Sequence, residues 1–179
     1  MPNYRRDFVQ GGVYFFTIAL QDRTKDFLVR YIDKLREAYQ ETLYHYPFET
    51  IAICILPEHL HLIMQLPEKD NNFSRRIQVL KTNFSKRLPK ECQGNFNQSR
   101  EKRGELGIWQ RRFWEHRIKD DEDLSKHIDY IYYNPVKHGY VQNVKSWLYS
   151  SFHRDVEKGI FEKDWGSNIP IRIQNLYQE

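Results

Sequence analysis

The chain has 179 residues, 40% hydrophobic and 15% aromatic, and its 28 Lys and Arg against 24 Asp and Glu leave a formal charge of +4. These values exclude a disordered or fibrous chain and suit one domain over 1–179, with an extension from about residue 142 that the pattern places less well. The two cysteines, Cys54 and Cys92, are far apart in sequence. They offer neither a thiolate zinc site nor a disulfide framework, so a reducing compartment is expected. No run approaches membrane-spanning length, and the expectation is a soluble, cytoplasmic protein with no membrane partner.

In chain order, Gly11–Leu20 is β-branched and aromatic after a glycine pair and reads as a first strand. Tyr31, Leu35, Ala38, Tyr39, Thr42 and Leu43 recur at helical spacing up to Pro47. "FETIAICILP" and "EHLHLIMQLP" read as two strands joined by a tight turn at Pro57 and Glu58. Phe73, Ile77, Leu80, Phe84 and Leu88 form the stripe of a helix over about 73–88. The stretch 89–107 is polar, "IWQRRFWEHRI" is a candidate fourth strand, and 121–133 reads as a helix opened by acidic residues and closed by "NPVKHG". The order β-α-β-β-α-β predicts an α+β, ferredoxin-like (split βαβ) antiparallel sheet with helices on one face, plus a C-terminal helix and tail.

Charge is distributed unevenly. Residues 75–119 hold thirteen Lys and Arg against four Glu, about +9, and leave the rest of the chain near −5. Aromatic residues interleave this basic segment. Arg75, Arg76, Lys81, Lys86, Arg87, Arg100, Lys102, Arg103, Arg111 and Arg112 are candidates for gripping phosphates, and Trp109, Phe113 and Trp114 for stacking on bases. A solvated basic face with ordinary core aromatics is the plainer alternative.

Two patterns carry chemistry. In "HLH", His59 and His61 leave a strand on one face while Leu60, Leu62 and Met64 take the other, so two imidazoles can converge on one divalent metal. In "HIDYIYYNPVKHG", Tyr130 and Asn134 lie four residues apart, a phenol one helical turn from an amide, with Pro135 disfavouring helical geometry at Asn134. Each pattern alone is common in ordinary structure.

Together, "HLH", "WQRRFWEHRI" and "DYIYYNPVKHGYV" in this order resemble the REP-associated tyrosine transposases, a branch of the single-tyrosine HUH transposases. The resemblance runs from about Tyr14 to "WLYSSFHRD". It implies His59, His61 and Asn134 as metal ligands, Tyr130 as nucleophile with Tyr133 and Tyr132 as alternates, and Mg2+ or Mn2+ as cofactor. It also implies single-stranded and hairpin DNA as substrate, a 5′-phosphotyrosine intermediate, and action as monomer or homodimer. Such joining conserves bond energy, in keeping with the lack of a Walker-type glycine loop. The rivals are a non-catalytic single-stranded nucleic-acid binding module and a metal-dependent nuclease that activates water.

Overall fold

The computed structural model describes residues 7–93 and 106–167. Its strands are β1 (Val13–Ala19), β2 (Glu49–Ile55), β3 (His59–Gln65) and β4 (Trp114–Arg117). Its helices are α1 (Phe27–Arg30), α2 (Ile32–His45), α3 (Phe73–Arg87), α4 (Asp121–Lys137) and α5 (Phe152–Glu157). The sheet order is β2-β3-β1-β4 with every neighbour antiparallel, the split βαβ arrangement expected from the element order.

Alternation along the strands divides the core in two. Tyr14, Phe16 and Ile18 of β1 and Leu60, Leu62 and Met64 of β3 meet Leu35 and Ala38 of α2 and Phe73, Ile77, Leu80 and Phe84 of α3. The opposite face, with Phe15, Cys54 and Ile63, meets Tyr130, Ile131 and Tyr132 of α4 and Phe152 of α5. The two crossover helices therefore share one face as expected, and the C-terminal helices close the other. β3 is central and covered on both sides, and all its residues but Gln65 are buried.

Two local expectations change. The fourth strand shrinks from an eleven-residue candidate to Trp114–Arg117, because the exposed Arg111 and Arg112 interrupt the pairing after an isolated antiparallel bridge between Trp109 and Leu20. α4 continues through Pro135 to Lys137 instead of closing near Tyr133. Its end is set at Gly139, which has φ +73°, with Tyr140 N–H donating to Pro135 O and Gly139 N–H to Val136 O, both at 3.0 Å. That paired cap, together with burial of Ile131 and Pro135, outweighs the preference of a pre-proline residue for extended backbone. Asn134 is thus a helical position and not a frayed one.

Among the described residues after 142, Val144 and Phe152 are buried and join the core. The segment around Ser150 covers the outer edge of β2, with Ile55 N–H donating to Tyr149 O and Ser151 N–H to Ile53 O. An exposed edge that could pair with another chain is removed.

Candidate active site

β3 carries His59 and His61 on the α4 face, and both are fully buried. Across the sheet His61 is opposite Thr17 on β1 and Cys54 on β2, while His59 is opposite Ala19. These small neighbours leave room for the rings. Thr17 Oγ1 lies 3.0 Å from His61 Nδ1, and Glu58 Oε1 lies 2.9 Å from His59 Nδ1.

An ionised carboxylate only accepts, so the His59 proton sits on Nδ1 and its Nε2 presents a lone pair. Burial would raise the Glu58 carboxyl, but the hydrogen bond from His59, with those from its own backbone N–H and from Tyr140, holds it below the usual carboxylate range. Tyr140 Oη donates to Glu58 Oε2 at 3.1 Å and Arg23 reaches Oε1 at 3.3 Å, so the carboxylate has three partners. The two Nε2 atoms are 3.1 Å apart. That separation suits two nitrogens sharing one ion at bond lengths of about 2.1 Å.

α4 brings the remaining groups. The Tyr130 ring meets His61 edge to face at 5.1 Å, and His138, the cap residue of the helix, meets His59 at 5.3 Å. Tyr130, Asn134 and His138 are spaced four residues apart, so Asn134 lies on the same helix face between two residues that each touch a histidine. Asn134 is fully buried, and neither Oδ1 nor Nδ2 has a hydrogen-bond partner. Leaving an amide unmet costs about 1–3 kcal/mol, which argues for a ligand at this place. Two imidazole nitrogens and an amide oxygen form a donor set that fits a divalent cation.

Lys137 Nζ sits 5.0 Å over the Tyr130 ring. The alternates for the phenol are placed elsewhere. Tyr132 Oη is bonded to Asp155 and to Ser151, and burial followed by the Asp155 bond raises its pKa well above the ordinary phenol value. Tyr133 packs with Val144 and Gly166 in the C-terminal part of the core.

A second cluster, His116, Asp123 and His127, also has metal-type atoms within 4.8 Å of one another. Its two imidazoles are stacked at 4.7 Å and 14°, so their in-plane lone pairs run alongside each other instead of converging. Asp123 instead takes His116 Nε2 at 2.8 Å, and His127 Nδ1 bonds the Asp123 carbonyl at 2.7 Å.

The basic candidates separate sharply. Arg76 is 2% exposed and serves Pro47 O, Asn72 O and Asp70, and Trp109 is buried with its Nε1–H on Lys81 O. Both are structural, which corrects their expected place at a nucleic-acid surface. Arg87 clamps Glu41 and Glu37 of α2, and Lys81 ties α3 to Gln110 O, so these two are already engaged. Helical periodicity could have flagged Arg76, one residue before core Ile77, but not its partners. Arg75, Lys86, Arg111, Arg112 and Trp114 remain exposed, while Arg100, Lys102 and Arg103 lie outside the described residues. Thr17 was not singled out by sequence, because only the strand register sets it beside His61.

Comparison with known proteins gives a consistent picture. The family model described as transposase IS200 like matches residues 8–134. A Haemophilus influenzae protein named as a REP-associated tyrosine transposase is 64% identical over 174 residues, covering 97% of this chain and 98% of its own. The Escherichia coli REP-associated tyrosine transposase is 41% identical over 169 residues, covering 94% of this chain and 93% of its own. A solved structure of a REP-associated tyrosine transposase bound to a REP hairpin aligns with TM-score 0.80 and 40% identity, over 95% of this chain and 94% of that one.

Proposed function

Because this chain belongs to the REP-associated branch of the IS200-like tyrosine transposases, enzymes that cut and join DNA, we propose that it nicks and rejoins single-stranded DNA beside a hairpin through a covalent bond to Tyr130. The observation that carries this reading is the helix face Tyr130–Asn134–His138 laid against the paired His59 and His61 nitrogens. The solved relative bound to a REP hairpin supports hairpin DNA as partner. Residues 1–179 act as one domain, in keeping with the burial of Val144 and Phe152 in the same core as Ile63. Contact of Tyr130 with His61 of its own chain supports a site complete in a monomer.

Tyr130 Oη attacks the phosphorus, forming an O–P bond to the 5′ side as the bond to the 3′ oxygen breaks. The phenolic proton leaves to solvent, and the released 3′ oxygen takes up a proton. One ester is exchanged for another, so the reverse attack by a 3′-hydroxyl reseals a strand without a nucleotide triphosphate. The helix holds the phenol against His61, and Glu58 and Thr17 fix the two imidazoles from behind. His59, His61 and Asn134 would hold Mg2+ or Mn2+, which would supply positive charge for the phosphate. The rigid imidazoles orient the scissile group, and Arg111 and Arg112 hold flanking phosphates.

The test is incubation with labelled hairpin DNA carrying a single-stranded extension, in Mg2+ or Mn2+, followed by a denaturing protein gel. A covalent adduct is expected that disappears in Tyr130→Phe and on chelation, a fall of about 10^3-fold or more. Cleavage that survives Tyr130→Phe without an adduct identifies a water-using nuclease. Binding without cleavage on any hairpin identifies a binding module.

A further inference from the structure

Resting on that reading, we propose that Trp114 is the platform on which an unpaired base next to the scissile phosphate stacks. The register places it: Trp114 is opposite Thr17, and Thr17 is opposite His61. The three residues form one row across β4, β1 and β3 on a single face of the sheet. Two strand spacings separate Trp114 from His61, about 10 Å along the row. At a stacked rise of about 3.4 Å per nucleotide, that distance is within about three nucleotides of the phosphate.

Exposure distinguishes this ring from its neighbours. Phe15, Tyr130, Tyr132 and Phe152 on the same face are buried, whereas Trp114 is 42% exposed. Its edge is held by Phe15 at 5.5 Å and 72°. Its plane runs parallel to His116 at 6.0 Å and 6°, and His116 stacks in turn on His127 at 4.7 Å.

The stack is anchored through Asp123, which binds His116 and accepts from Lys119 N–H at 3.0 Å, while its own N–H is capped by Asp120. The His116–Asp123–His127 cluster therefore acts as the support that fixes the indole before DNA arrives. A preorganised aromatic loses little freedom on stacking. Arg111 and Arg112, exposed three and two residues earlier, supply cations for the backbone on either side. Stacking tolerates any base, so the ligand class is an unpaired nucleotide irrespective of sequence.

The test uses the full chain in the Tyr130→Phe background, so that cleavage does not consume the DNA. Anisotropy compares a labelled hairpin alone with the same hairpin bearing an oligo-dT extension, with an abasic site walked along the extension. Trp114→Ala is expected to weaken the extended DNA about 10-fold and leave the bare hairpin unchanged. One abasic position should reproduce that loss in the parent and add nothing in Trp114→Ala, and Trp114→Phe should retain most of the affinity. Equal losses on both DNAs, no loss, or losses additive at every abasic position overturn the platform. The adduct assay is scored separately: an adduct without the selective loss sinks the platform alone, and a selective loss without an adduct sinks the cleavage reading and keeps the stacking site.

Discussion

The two faces of the sheet are made by the same strands and used in opposite ways. The face under α2 and α3 is filled with Tyr14, Phe16, Leu62, Phe73 and Phe84, and its buried cation, Arg76, is fully engaged by Pro47, Asn72 and Asp70. The face under α4 buries three imidazoles, those of His59, His61 and His127, with the Glu58 carboxylate and an amide whose two polar atoms are unmet. One face satisfies its groups internally. The other is organised around something it does not itself contain. Stability and chemistry are thus separated by the thickness of one sheet, and single substitutions should separate them too.

The largest effect belongs to the closed face. Phe84→Ala removes a fully buried ring that packs edge to face on Trp109 at 5.5 Å, and should cost about 3–5 kcal/mol in a urea titration. Adduct yield per folded molecule should stay unchanged. A fall in that specific yield would show that the two faces are coupled.

A smaller change, of opposite sign, is expected across the sheet. Asn134→Leu replaces the unmet amide with an apolar group of similar size, so the metal-free protein should gain about 1 kcal/mol. The same variant should lose the covalent adduct and the metal-dependent rise in melting temperature. A destabilised variant that still forms the adduct would remove Asn134 from the site.

The smallest is a pH effect confined to the closed face. The bond from Arg76, followed by the Asn72 N–H, lowers the Asp70 carboxyl below its ordinary value. Its folded pKa is therefore below the unfolded value of about 3.9, so its contribution is complete above that pH and is lost as pH falls through the folded pKa. Asp70→Asn should be less stable than wild type at neutral pH, and the gap should close on acidification below about 4. A gap that persists at low pH would assign the effect to packing instead of charge.

Much of the frame was legible because its signals are local. The β-branched and aromatic run after Gly11 and Gly12 marked β1, the stripe of Phe73, Ile77, Leu80 and Phe84 marked α3, and the H-x-H spacing put two imidazoles on one side of β3. Asn134 was harder, since the pre-proline rule is a statistical preference that a buried and well-capped helix overrides. Arg76 and Trp109 were misassigned because charge and aromaticity along a chain do not say which way a side chain turns.

What the sequence by itself determined was the order of elements and the pairing of histidines on one strand face, since each follows from spacing of two to four residues, and the ordered motifs carried the resemblance to the family. Only the tertiary structure decided that α4 crosses the face opposite α2 and α3, and that Thr17 and Trp114 share a row with His61. It also decided that the arginines of α3 are divided between scaffold and surface. The physical reason is that register and helix placement depend on contacts between residues far apart in the chain, formed where burying apolar area and satisfying polar atoms agree.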